Sequence, residues 1–360
     1  MSVLRRSLFW FTTVAVLLVL ALLVSACTSA VPIASPTRVA PTAAQAQAPA
    51  KLTFMAAFKP QANLPFVAAY IAQEKGYFAA QNLTVNILHD ASGGQALNLL
   101  LSGDVDVTTA DAGSVLKRRS SPNLPIKAIT LFGQAGQQAF IALDKSNIKT
   151  VKDWEGKNFG YKTSVPPEYL AMLDATGADR SKVKEVSVGF DPRILTEGRV
   201  DLLAVFKSNE PDTVRKLGFP VTVFDPKNIG VPTLGLTYIA QDSVISSKAD
   251  ALQRFVKATL KGLDFAMNPA NEEETLDIVR KYAPQEDREH QRFMLKTELA
   301  DAQGPVTLAQ GLGAMTGEQW KALYDQLLKY QALPAPFDYQ TAFEARFVQA
   351  SYRSKQLVWP

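Results

Sequence analysis

The sequence predicts a two-lobed α/β protein, each lobe a mainly parallel sheet flanked by helices. Three observations carry that expectation. Short apolar runs of strand character alternate with helix-patterned runs, the signature of βαβ units. The globular stretch, Lys51 to Pro360, is long for a single hydrophobic core. One corner is also written twice. Gly103-Asp104-Val105-Asp106-Val107 and Gly198-Arg199-Val200-Asp201-Leu202 each close a helix-like run with glycine and open an apolar run through Val-Asp. An echo of this kind points to one structural unit built once in each lobe.

The chain start sets the compartment. Arg5 and Arg6 precede a nearly unbroken apolar run from Leu8 to Leu23, interrupted by Thr12 and Thr13. This is the basic and apolar pattern of a secretory signal. It is shorter than the roughly 20 residues a membrane span needs. Leu23-Val24-Ser25-Ala26-Cys27 places small residues before the one cysteine of the chain and resembles a bacterial lipobox. Residues 1–26 are therefore expected to be a signal peptide, Cys27 a lipidated N-terminus, and 27–50 a tether. The tether is mostly Ala, Pro, Thr, Ser and Gln with Arg38 as its one charge, a composition that buries no core. The domain is expected to hang from the outer face of the cell membrane by its acyl anchor. A single thiol excludes intrachain disulfides and multi-cysteine metal sites.

The elements follow in order. In the first lobe, 51–138, strands are expected at Lys51–Ala57, Leu83–Leu88, Val105–Thr109 and Ile126–Phe132. Between them lie "LPFVAAYIAQEKGYF", with Phe66, Ala69, Tyr70 and Gln73 at helical spacing, a helix opening at Gly93-Gly94 and closing at Gly103, and a helix at Ala112–Arg119. In the second lobe, 139–233, strands are expected at Phe140–Leu143, Lys157–Tyr161, Val183–Val188 and Val200–Phe206, with another in "GFPVTVFDP". Helices are expected after Ser164, as a candidate N-cap with Pro166 or Pro167 in the first turn, and at Pro192–Glu197. Residues 234–360 are expected to return to the first lobe, with a strand at Leu234–Ala240. An amphipathic helix then spans Ala249–Met267, with Leu252, Phe255, Val256, Leu260, Leu263 and Met267 on one face. Crossings near Gln134–Phe140 and Gly230–Gly235 would make a hinged clamshell.

Charge and motifs narrow the function. The formal net charge is +4 with no basic stripe, so no nucleic acid is expected. Of the two histidines, His89 reads as a loop residue and His290, in "QEDREHQR", as part of a solvated helical face. No nucleophile elbow, zinc-binding His-Glu-x-x-His or phosphate-binding loop is present. A binding protein with no cofactor and no metal is expected rather than an enzyme.

Four stretches in the same order carry a family resemblance: "PFVAAYIAQEKGYFAAQNLTV", the Gly93-Gly94 helix start, "GRVDLLAVFKSNEPDTVRKLGFPVTVFDPKNIGVP" with its Asn-Glu-Pro, and "RFVKATLKGLDFAMNPANEEETLDIV". In these the chain resembles the solute-binding proteins of ABC importers, in the NMT1/THI5-like branch of thiamine-pyrimidine, sulfonate and nitrate binders. The resemblance implies a type II periplasmic-binding-protein clamshell and a monomer that meets a permease and its ATPase. The pyrimidine synthases of the same superfamily carry a cysteine-rich motif and an active-site histidine, and between Ser181 and Glu210 this chain has neither. Pyrimidine binders usually show Trp-x-Pro-Asn…His after the first strand. Here the segment is "FMAAFKPQANLPFVAAY", similar to the riboflavin-binding branch. Riboflavin is the implied ligand, with a thiamine pyrimidine precursor as the alternative.

The candidate contacts then have roles. Phe58, Tyr161 and Phe206 would stack on a flat ring. Asn209 and Glu210 would read its polar edge. Gln61, Asn63, Gln134, Gln137 and Gln138 would meet hydroxyls. Backbone N–H groups of Ser92, Gly93 and Gly94, with Thr163 and Ser164 opposite, would meet a carbonyl or anion. Asp111 would either face the ligand or cap its own helix.

Overall fold

Ten strands form two five-stranded sheets in the computed structural model, which describes residues 48–91 and 94–360. The expected signal peptide, Cys27 and nearly all of the tether lie outside the described residues, as do Ser92 and Gly93. The first sheet uses β1 (Ala50–Ala56), β2 (Leu83–His89), β3 (Val107–Asp111) and β4 (Ile126–Leu131). The second uses β5 (Gln138–Leu143), β6 (Asn158–Tyr161), β7 (Lys184–Ser187), β8 (Leu202–Phe206) and β9 (Val221–Phe224). The chain then re-enters the first sheet as β10 (Leu236–Gln241). The strand orders are β2-β1-β3-β10-β4 and β7-β6-β8-β5-β9. In each sheet only the fourth strand, β10 or β5, runs antiparallel to its neighbours. The expected α/β fold with two mainly parallel sheets is what the chain forms.

The doubled corner now has a physical explanation. Gly103 and Gly198 sit at φ 88° and 71°, where a Cβ would be strained. Val105 and Val200 behind them are buried. The Asp106 N–H donates to the Thr53 carbonyl at 3.0 Å, and its carboxylate accepts the Thr53 N–H at 2.9 Å. Asp201 does the same to Asn158, at 2.9 Å in both directions. Each aspartate thus pins the third strand of its sheet to the second. Because its side chain takes the neighbour's N–H in place of a ladder bond, β3 and β8 begin at Val107 and Leu202, two residues later than the apolar run suggests.

Two helix starts also differ from expectation. The helix after β2 is Ala96–Ser102, not one opening at Gly93-Gly94. Asp90 accepts the N–H groups of Gln95 and Ala96 at 2.5 and 2.9 Å and fixes the start there. The helix Pro167–Thr176 has Pro166 as its N-cap with no side-chain cap, so Ser164 does not cap it. Proline at the first helical position has no N–H that needs an acceptor.

Helix Ala249–Met267 has the expected bounds, but its buried face is wider and includes Ala258, Thr259, Gly262 and Ala266. It packs on helix Leu64–Glu74, where Leu64 through Ala72 are all buried. The two crossings between the sheets run side by side. The Phe132 N–H donates to Leu236 O and the Gly235 N–H to Gly133 O, each at 2.8 Å. A Cβ on Gly133 or Gly235 would lie 2.9 Å from the other's Cα, so the crossings touch backbone to backbone.

Candidate functional site

Parallel strands bring their C-terminal ends to one edge of each sheet, where ligands of open α/β sheets sit. On the first sheet this edge carries Phe58 beyond β1, His89 at the end of β2 and Asp111 at the end of β3. On the second it carries Lys162 beyond β6, Phe190 beyond β7, and Phe206 at the end of β8. Helix Arg288–Asp301 joins the two edges. Its Glu298 accepts from Asn63 Nδ2 at 2.5 Å and from the Leu64 N–H at 2.6 Å on one side, and from Ser208 Oγ at 3.4 Å on the other. The segments after β1 and β8 therefore face each other across one carboxylate.

Three phenylalanines stay open to solvent at these edges: Phe58 at 44 %, Phe206 at 51 % and Phe190 at 68 %. Folding normally buries such rings. Phe58 and Phe206 are where the sequence places stacking rings. Tyr161 is not like them: it is half-buried and packs on the second lobe's core beside Phe159 at 6.2 Å. Phe190 escapes the sequence reading. Its signal was a large apolar residue in the turn-forming stretch Gly189–Pro192, where nothing buries it.

The polar candidates are already engaged. The Glu210 residue is 6 % exposed. One carboxylate oxygen accepts from Lys162 Nζ and the other from the Phe206 N–H at 2.9 Å. Its carboxylate is thus held inside the second lobe, and Lys162 is the group it positions. Asn209 Oδ1 lies 2.9 Å from His290 Nε2, and His290 Nδ1 lies 2.6 Å from Asp212. His290 is therefore not on a solvated face; it joins helix Arg288–Asp301 to helix Glu210–Lys216. Asp111 caps helix Ala112–Ser120 by accepting the Ser114 N–H at 2.8 Å. Gln134 donates to Ala314 O and accepts from Gln319, Gln61 donates to Asn63, and Gln137 donates to Asp301 at 3.1 Å. Gln138 donates to the Ala139 and Val205 carbonyls. Thr163 and Ser164 are exposed beyond β6, and Gly94 lies beside the undescribed pair. His89 is held between the Tyr70 hydroxyl at 3.0 Å and the Phe58 carbonyl at 3.2 Å, and burial pushes its pKa down.

A buried ion-pair network also escapes the sequence reading. Asp301, 2 % exposed, pairs with Lys207 at 2.9 Å and Lys227 at 2.8 Å, and Lys207 also meets Asp225 at 2.7 Å. The signal lay in helix register: Glu298 and Asp301 share the buried face of their helix with Met294 and Leu295. Burial pushes the Glu298 carboxyl up to about 7, against the donors from Leu64 and Asn63 and with help from neighbouring Asp301. A carboxyl whose folded pKa is raised stabilises the fold below its unfolded pKa, and that contribution is lost as pH rises through the folded value. Stability should therefore fall between about pH 4.5 and about 7, by up to about 1.4 kcal/mol per pH unit from this group. Glu298→Gln should remove that part of the slope. Urea unfolding of both proteins across the window checks it, and parallel slopes would refute it.

Among the described residues no group of three or more His, Cys, Asp and Glu could hold a metal ion. No helix of the described residues is long and apolar enough to cross a membrane. A cavity of about 450 Å³ beside the Phe190 loop is lined by Val188, Asp191, Arg193 and Glu197, and Asp191 and Arg193 pair with each other at 2.5 Å.

The model of the NMT1/THI5-like family matches residues 63–272. Riboflavin-binding protein RibY of Chloroflexus aurantiacus is 28% identical over 349 residues, covering 91% of this chain and 95% of that protein. A formylaminopyrimidine-binding protein of Halalkalibacterium halodurans is 24% identical over 289 residues, covering 77% of this chain and 84% of that protein. Among solved structures, the periplasmic aliphatic sulphonate binding protein SsuA of Escherichia coli is similar in fold. Its TM-score is 0.64 at 14% identity, covering 87% of this chain and 95% of that one. The desulfurization enzyme DszB is also similar in fold, with a TM-score of 0.54 at 13% identity, covering 84% of this chain and 98% of that one.

Proposed function

The chain belongs to the NMT1/THI5-like family, and on that premise we propose that it is the solute-binding lipoprotein of an ABC importer that captures riboflavin between its lobes. In this reading Cys27 carries the lipid, the domain works as a monomer on the outer face of the membrane, and the loaded form delivers its vitamin to a permease driven by an ATPase. The observation that carries the reading is the set of exposed rings at the strand ends, Phe58 on the first sheet and Phe190 and Phe206 on the second. A flat tricyclic ring would cover them, and each stacked contact adds about 0.5–1.5 kcal/mol beyond area burial. The relative that binds riboflavin covers almost the whole chain and supports the same choice.

A thiamine pyrimidine precursor is the second reading, favoured by the formylaminopyrimidine-binding relative. An enzyme of the kind that shares this fold would need a reactive group at the cleft. Glu210 is paired there with Lys162, and His290 with Asp212. Ligand-linked stability tests the assignment. Riboflavin at a hundred times its Kd should stabilise the chain by about 2.7 kcal/mol. A thermal midpoint that moves with a formylaminopyrimidine and not with riboflavin selects the second reading, and one that moves with neither overturns both.

A further inference from the structure

Lys162 stands where three features of the second lobe converge. Its side chain is 12 % exposed, and among the described residues its ammonium has one hydrogen-bond partner, Glu210. The nitrogen lies 5.4 Å from the centroid of the Phe206 ring and 5.6 Å from that of Phe190. Both rings are the exposed ones at this edge. Glu210 is fixed in turn by the Phe206 N–H at 2.9 Å. An ammonium has three donors, so two remain for solvent or a ligand.

We propose that Lys162, set between Phe190 and Phe206 and positioned by Glu210, is the group with which the second lobe reads its ligand, and that the ligand brings a hydrogen-bond acceptor on the rim of a flat aromatic ring. This rests on the vitamin-binding reading above and says which atoms of the vitamin are read. A ring covering the two phenylalanines also dehydrates the ammonium beside them. Without an acceptor on its rim, the ring would leave charged N–H donors buried and unpaired, which is costly. A site built this way rejects flat rings that lack the acceptor far more strongly than it rejects rings of slightly different size. Riboflavin, with carbonyl and imino acceptors on its pyrimidine edge, meets the requirement. Glu210 is then a positioning residue, not the group that meets the ring.

Lys162→Met alone strands the buried Glu210 carboxylate and threatens the fold. The paired variant Lys162→Met with Glu210→Gln removes both charges together. Calorimetric titration of riboflavin and of a formylaminopyrimidine into wild type, the paired variant, Lys162→Arg and Phe190→Ala tests the proposal, with the unliganded unfolding midpoint of each recorded. The expected result is an about ten- to hundredfold weaker Kd in the paired variant, partial retention in Lys162→Arg, and a loss in Phe190→Ala with its midpoint kept. Wild-type affinity in the paired variant overturns the proposal and leaves the vitamin-binding reading standing. Failure of both rings to bind wild type overturns that reading, and the proposal with it.

Discussion

Replacing Lys207 by methionine is expected to destabilise the protein by about 3–5 kcal/mol, the range for removing one partner of a buried ion pair. Lys207 is 6 % exposed and sits between Asp225 and Asp301, at 2.7 and 2.9 Å. Methionine fills much the same volume, so the loss is electrostatic rather than a cavity. It leaves the buried Asp301 and the largely covered Asp225 without the ammonium they share, with Lys227 on Asp301 as the remaining cation. Asp225 then has lost the cation it paired with and Asp301 keeps one of its two, which is what makes the change costly. Because Asp301 belongs to helix Arg288–Asp301 and Lys207 follows β8, the same substitution loosens the contact between the sheets. Lys321→Met, at an exposed pair with Asp325, should leave the midpoint where it is. Urea unfolding of both variants measures the contrast, and equal midpoints would refute the buried network.

Gly262→Ala is expected to destabilise by about 2 kcal/mol, although the same change inside an exposed helix gains about 1. A Cβ on Gly262 would lie 2.3 Å from the Ala68 carbonyl oxygen and 3.3 Å from the Ala72 nitrogen. Those atoms are the backbone of a buried helix, so neither can swing aside. Helices Leu64–Glu74 and Ala249–Met267 would have to separate, and the packing of Phe54, Tyr238 and Phe255 beside them would open. The sign of the change decides the matter: a stabilised Gly262→Ala protein would mean that the helices do not cross this closely.

Local pattern carried much of the architecture into the sequence. Helix Ala249–Met267 is legible because its apolar period survives for five turns, and the alternation of strands and helices is legible because each parallel strand needs a crossover. Strand starts are less so. Val105 and Val200 read as strand, yet the side chains of Asp106 and Asp201 take the first bond to the next strand. At the site, residue types were legible and partners were not. Phe58 and Phe206 could be placed at strand ends, but Tyr161 at the end of β6 looked the same until its contact with Phe159 turned it toward the core. Glu210 reads as an acceptor for a ligand. Its two oxygens instead serve Lys162 and the Phe206 backbone, which only the juxtaposition of β6 and β8 reveals. His290 sits among Glu289 and Arg292 and so reads as solvated. One step around the helix places it against Asp212 and Asn209.

The measurement that bears most directly on the vitamin-binding account is a fluorescence titration of riboflavin with the chain freed of resident ligand by exhaustive dialysis. Flavin emission should be quenched saturably, with a single riboflavin per chain at the end point, and the quenching should weaken in Phe206→Ala and in Phe190→Ala while both variants keep their unfolding midpoints. Emission with the same slope as free riboflavin in the presence of excess folded protein would contradict the account.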